Sequence, residues 1–304
     1  MRILITGASG LLGLNLSLIA LKSNHEVIGW LNTKALRHAP FPVESVDLLD
    51  LDTVEAKIET VAPDLIIHCA AVANLETAEA NPDLADRVNA LAASEIARVA
   101  TKNSIHMVHI STDAVFDGTK GDYNEEDIPS PINIYAKSKL AGEWAVEEVN
   151  PDAIIARVNF YGWSLSGERS LAEFFFNHLR EGIPIKGFTD AFFCPLYVGH
   201  LAEILLEMVE RGLSGLYHVV SPEKMSKHDF GVSIARKFGF DESLITPASV
   251  QDAGLSAARS PKLTLRTDKL QAALGRSMPD QTTALEAFYQ SWQAGLPDTL
   301  KACL

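Results

Sequence analysis

The chain has 304 residues, 47% hydrophobic and 21% charged, enough to bury a large core and to divide into two lobes. A net charge of −13 argues against a general basic surface for nucleic acid or an anionic membrane, while leaving room for a local basic pocket that takes phosphates. Three scattered cysteines, Cys69, Cys194 and Cys303, suggest neither a disulfide scaffold nor a zinc site, so a reducing cytoplasm is the expected location. Met1 abuts the first apolar run, and no run approaches the ~20 residues that span a bilayer, so neither a signal peptide nor a membrane partner is expected.

Arg2 to Thr6 is a short run rich in β-branched residues, ended by glycine, as in a buried parallel strand. A broad apolar helical face begins at Leu11, so Gly7, Gly10 and Gly13 fall on a strand-to-helix turn. Gly7 permits the tight turn, Gly10 lets the backbone approach a pyrophosphate, and Gly13 lets the helix lie close on the strand. The first gap is one residue longer than in the usual dinucleotide fingerprint. His25 to Trp30 is a second strand. The following Gly29 to Lys34 has no acid to hold ribose hydroxyls, while Lys34 and Arg37 stand close by. That composition favours NADP(H), with NAD(H) as the alternative; the same two cations also read as solvated loop charges.

A short strand around Ser45 to Asp47 and a helix from Asp52 to Val61 follow, then a strand from Asp64 to Cys69 and a long helix from Asn81 to Lys102. Ile105 to Ser111, Ile134 to Val149 and Ala153 to Val158 read as strand, helix and strand. This alternation predicts an α/β doubly wound parallel sheet of the Rossmann type, with ligands at the carboxyl ends of the strands. Residues 1–158 are expected to form the nucleotide-binding domain and 159–304 a smaller substrate-binding lobe. About 191–221, including a strand-like Gly215 to Val220, is expected to return to the first domain. Phe174 to Phe176 reads as lobe packing, and His68, His106 and His109 as core or surface residues without metal-ligand spacing; no metal is expected.

Tyr135 and Lys139 are four residues apart, one turn apart on one helix face. An ammonium beside a phenol favours the phenolate and brings an otherwise weak acid into range for proton transfer. Taken alone, the spacing reads more readily as a packed tyrosine and a solvated lysine. Ser111, Thr112 and Asp113, at the end of the fifth strand, place hydroxyls where a substrate carbonyl could be polarised, although such residues also cap turns. Glu143, Glu147 and Glu148 read as the solvated side of the Tyr135 helix.

The ordered set Thr6 to Gly13, Ile110 to Gly118 and Tyr135 to Glu143 resembles the extended short-chain dehydrogenase/reductases. Within them the chain is most similar to the dTDP-4-dehydrorhamnose reductase branch, which also contains the regulatory beta subunit of methionine adenosyltransferase. Asn124 to Pro131, Pro195 to Val198, Gly215 to His218 and Arg259 to Pro261 fit the same branch. The resemblance implies Thr112, Tyr135 and Lys139 as the catalytic set: the hydroxyl orients the carbonyl, the phenol protonates the forming alkoxide, and the lysine holds the nicotinamide ribose. It implies a cofactor site of Gly7, Ser9, Gly10, Leu11, Leu12 and Gly13, with Asn32, Thr33, Lys34, Asp47 and Leu48 beyond them. Cys69, Ala70, Ala71 and Asn89 complete it, with Tyr135 and Lys139. On the substrate side it implies Ala73, Phe116, Asn159, Phe160 and Arg259. Asn89 and Asn159 read equally well as residues that satisfy backbone groups.

The expected function is thus NADPH-dependent reduction of a 4-keto-6-deoxy nucleotide sugar, and a homodimer is the family's expectation. A non-catalytic NADP-binding regulatory subunit and a nucleotide-sugar epimerase are the alternatives. Ala114 stands where dehydratases of the superfamily carry Glu, which argues against dehydration. Val72, Ala73 and Leu196 depart from the reductase pattern near the sugar pocket and leave the sugar open.

Overall fold

The computed structural model describes residues 1–32, 35–250 and 260–304. Its centre is a seven-stranded sheet built from β1 (Arg2–Thr6), β2 (Glu26–Leu31), β3 (Val43–Ser45), β4 (Leu65–His68), β5 (His106–Thr112), β6 (Ile154–Val158) and the strand Gly215–Val219. The order across the sheet is Gly215–Val219, β6, β5, β4, β1, β2, β3, and every pairing is parallel. This is the doubly wound α/β fold that the alternation predicts. The strand Gly215–Val219 extends the β6 edge although it lies deep in the second half of the chain.

Alternation along the strands divides the core between two faces. Ile3, Ile5, Leu65, Ile67 and Val108 point to one side, against α1 (Leu11–Lys22) and the helix Val198–Glu210. Leu4, Ile66, Met107 and Ile155 point to the other, with α2 (Leu51–Val61) contributing Val54 and Ile58. Burying each such side chain is worth roughly 1.5–3 kcal/mol, so the strand centre is strongly fixed in register.

The expected long helix from Asn81 to Lys102 runs as α4 (Pro82–Asp86), a π turn at Arg87–Leu91 and α5 (Ala92–Lys102), and a short helix, α3 (Leu75–Ala80), precedes it. Asn81 leaves helical geometry and Pro82 opens the next segment, as its ring permits. The π turn sets Asn89 so that its side chain bonds both Val72 backbone groups. α6 (Ile134–Val149) starts where the Asn133 side chain accepts the Ala136 N–H at 2.8 Å and Glu79 accepts that of Ile134 at 2.9 Å. Those caps fix the turn that carries Tyr135.

The second half packs around aromatic rings. Trp163 stacks on Phe288 at 4.3 Å, and of the three phenylalanines expected to pack the lobe Phe175 and Phe176 are buried while Phe174 is exposed. The segment after Trp163 is fastened to α1 by Asn15, whose amide donates to the Trp163 carbonyl at 2.9 Å. α7 (Leu171–Arg180) then starts with a capping box between Ser170 and Glu173. Among the described residues, no helix is long and apolar enough to cross a membrane.

Candidate active site

A cleft of about 590 Å³ opens at the carboxyl ends of β1, β2 and β4. Gly7 has φ +67°, and a Cβ on it would meet the Ala70 backbone at 2.8 Å; one on Gly13 would meet the Gly7 carbonyl at 2.3 Å. Both glycines are therefore needed for helix, turn and neighbouring strand to approach this closely. α1 begins with Gly10 as a cap that offers no side chain, and its first turn holds no acid. Its free N–H groups and positive dipole end are left for an anion.

Of the residues expected at the cofactor, Gly7, Ser9, Gly10, Leu11, Leu12, Gly13, Asn32, Asp47, Leu48, Cys69, Ala70 and Ala71 line this cleft. Ala73 and Phe160, expected on the substrate side, line it too. Thr33, Lys34 and Arg259 lie outside the described residues. Asn89 does not line the cleft: it is fully buried, and its amide bonds Val72 and the Ser138 hydroxyl, the last at 2.9 Å. Its place is thus the backbone-satisfying one, supporting the cofactor loop from behind. Phe116 departs from the expected substrate contact. It is fully buried in an apolar cluster, stacked on Tyr123 at 4.1 Å, because the loop after β5 turns its side chain inward.

Thr112, Tyr135 and Lys139 are not among the residues that line this cleft, although the Lys139 charge reaches Cys69, which does line it. The Thr112 hydroxyl, at the end of β5, faces the Tyr135 phenol near the start of α6. Burial pushes the phenol up to about 12, and the Asp113 charge adds to this, against the opposing Thr112 hydroxyl. The expected lowering by Lys139 does not operate, because the ammonium turns to His109, with Nζ 3.3 Å from Nε2. Burial brings Lys139 down to about 8, with Glu143 acting in the opposite direction. Cys69, at the cleft floor, is pushed up to about 12 by burial and stays a thiol at neutral pH.

Three polar residues extend this set. Asp113 is buried, accepts from Asn159 Nδ2 at 2.5 Å and from the Thr112 hydroxyl at 3.2 Å, and burial raises it to about 6. Asn159, one of the expected substrate residues, thus faces Asp113. Glu143 corrects the reading of a solvated helix side: it is buried in an ion pair with Arg157 at 2.7 Å and takes the Ser111 hydroxyl bond. Arg169 enters the cleft wall from the segment fastened by Asn15, with its N–H held by Glu173 at 2.8 Å. Among the described residues, its guanidinium makes no ion pair. The spacing before a capping Ser170 and Glu173 was the available signal for this position, but a loop arginine carries no periodicity that would aim it at a distant turn. Among the described residues no group of three His, Cys, Asp or Glu side chains is arranged to hold a metal.

The family model for the RmlD substrate binding domain matches residues 1–294. The chain belongs to the RmlD substrate-binding domain family. The probable low-salt glycan biosynthesis reductase Agl14 of Haloferax volcanii is 35% identical over 95% of this chain and 99% of its own. Methionine adenosyltransferase 2 subunit beta of Mus musculus is 32% identical over 95% of this chain and 87% of its own. The crystal structure of dTDP-4-dehydrorhamnose reductase from Bacillus anthracis in complex with NADP superposes with a TM-score of 0.86 at 29% identity, over 95% of this chain and 99% of that one. The RmlD family likeness therefore runs through both the Gly-rich turn and the aromatic second half.

Proposed function

We propose that the protein is an NADPH-dependent reductase of a 4-keto-6-deoxy nucleotide sugar. The observation that carries this reading is the approach of the Thr112 hydroxyl to the Tyr135 phenol, at the carboxyl end of the β5 strand whose Ile110 lines a cleft shaped for a dinucleotide. The glycine cradle and the uncapped α1 N-terminus fit a pyrophosphate. Similarity to a named glycan biosynthesis reductase and to an NADP-bound reductase supports the same reading.

Gly10, Leu11 and Leu12 present backbone N–H groups to the diphosphate, and Arg169, which lines the same cleft, pairs with it. Asn32 and the acid-free end of β2 leave room for a 2′-phosphate, while Asp47 and Leu48 border the adenine. A bound reduced nicotinamide supplies the hydride for the keto carbon. Thr112 donates to the carbonyl oxygen and polarises it. Tyr135, fully protonated at neutral pH, gives its proton to that oxygen as it gains charge. Lys139, one helical turn away and held at His109, orients the nicotinamide ribose. Residues 1–158 with about 191–221 hold the cofactor in this reading, and the rest of 159–304 holds the sugar.

A second reading rests on the similarity to methionine adenosyltransferase beta subunits over 95% of the chain: an NADP-binding regulatory partner without turnover. Titration with NADPH and NADH, followed by NADPH consumption with a panel of keto nucleotide sugars, separates the two. Tight NADPH binding with turnover of a 4-keto sugar is expected. Tight binding with no turnover of any member favours the regulatory reading, and no binding defeats both.

A further inference from the structure

His109 and His68 are register partners on β5 and β4, both essentially unexposed, with rings 5.5 Å apart and inclined by 22°. His68 Nδ1 is 2.8 Å from the Thr6 hydroxyl, at the mouth of the Gly-rich turn. His109 Nε2 is 3.3 Å from Lys139 Nζ. The opposite ring atoms, His68 Nε2 and His109 Nδ1, have no hydrogen-bond partner among the described residues. Two imidazoles in the middle of a sheet buried on both faces are expensive to desolvate, and apolar residues occupy the neighbouring strand positions. Their polar contacts run to two places only, the lysine and the cofactor turn.

An ammonium has three donors and no acceptor, so it can bond His109 only through a bare Nε2 on a neutral ring. Burial, with Lys139 and His68 adding to it, holds His109 well below the usual histidine range and keeps that lone pair free. A carboxylate at this position would also hold the ammonium, but it would cancel the charge. A neutral imidazole fixes the position and leaves the positive charge intact for the cofactor. Gly142 is required by the Asn89 carbonyl, which a Cβ there would meet at 2.1 Å, and its Cβ position lies at ordinary contact distance, 3.5 Å, from His109 Nε2.

We propose that His109 is a positioning residue for Lys139, anchoring the ammonium at the cleft floor beside Cys69 as a neutral acceptor, with His68 and Thr6 bracing its ring from the cofactor turn. The proposal rests on the reductase reading for its consequence, while the contact itself can be tested without turnover. The groups that face Lys139 are His109 on β5, His68 and Cys69 from β4 and its following loop, and Glu143 on α6. Arg157 occupies Glu143, and Asp113 faces Tyr135 from the turn after β5.

The test uses the full chain with lysine side chains carbon-13 labelled, the Lys139 resonance being assigned by its loss in Lys139→Met. Its titration is followed by NMR in wild type, His109→Leu and His109→Gln, alongside NADPH titrations of each. The wild-type midpoint is expected near 8. In His109→Leu it is expected about one pH unit lower, and NADPH binding about tenfold weaker, the scale of one hydrogen bond lost to a charged group. His109→Gln, which restores an acceptor, recovers both even if its melting temperature stays low. An unchanged Lys139 midpoint in folded His109→Leu overturns the proposal, as does equal loss of the midpoint and NADPH affinity in the Gln variant. Failure of wild type to bind NADPH counts against the reductase reading, and the Lys139 midpoints still decide the contact.

Discussion

Asn159, just past β6, donates to the buried carboxylate of Asp113, just past β5, at 2.5 Å. That bond favours the charged form, yet burial prevails and lifts Asp113 to about 6 from an ordinary value of 3.8. The folded chain therefore binds this proton more tightly than the unfolded one. The contribution to stability is complete below pH 3.8 and is lost as pH rises through about 6. Replacing the acid by Asp113→Asn should remove that slope and stabilise the protein at neutral pH by on the order of 1–3 kcal/mol. Urea unfolding at pH 5 and pH 8 checks it. An unaltered difference between the two pH values would show that Asp113 titrates normally.

The Glu143–Arg157 pair, 2.7 Å apart with side chains 4% and 3% exposed, also lies under the Phe116 ring. Arg157→Met leaves Glu143 buried without its partner and should destabilise by about 3–5 kcal/mol. Adding Glu143→Leu should recover much of that loss, because both charges are then gone. Denaturant midpoints of the two variants decide the matter; equal stability of the single and double variants would rule out a coupled pair.

Gly13→Ala should push α1 away from the turn, since its Cβ would sit 2.3 Å from the Gly7 carbonyl. The expected loss is about 1–3 kcal/mol of stability, together with weaker NADPH binding. Calorimetric melting and NADPH titration check both; an unaltered affinity would mean that α1 can retreat without disturbing the anion site.

Arg169 lines the same cleft as the Gly-rich turn and is exposed, so Arg169→Ala should leave stability within about 0.5 kcal/mol. NADPH binding should weaken about tenfold at low salt and less at high salt, as expected for a partly screened charge contact. Titrations at two ionic strengths test this. Equal affinity of the two proteins at low salt would remove Arg169 from the cofactor site.

The fold was legible because strand-length apolar runs and helical faces alternate, and because glycine placement at residues 7, 10 and 13 has few structural meanings. The cofactor cleft followed from the same signal. Burial was less legible. Glu143 is charged and sits on a helix, and nothing in its local pattern tells that Arg157 arrives from β6 to pair with it. The direction of Lys139 was equally hidden: its four-residue spacing from Tyr135 implies a neighbour, but an acceptor on β5 competes for the ammonium. Phe116 lies in a motif shared with the reductases, yet its ring belongs to the apolar cluster with Tyr123. In each case a partner distant in sequence decides, and only the assembled sheet brings it close.

The central claim is that the Tyr135 phenol is the proton donor to a reduced keto sugar. Its most direct test is the fall in NADPH absorbance with the preferred keto nucleotide sugar, compared between wild type and Tyr135→Phe at matched cofactor occupancy. The account predicts that turnover falls by about 10²–10⁴-fold while NADPH affinity is retained. Turnover that survives the loss of the phenolic oxygen would contradict it.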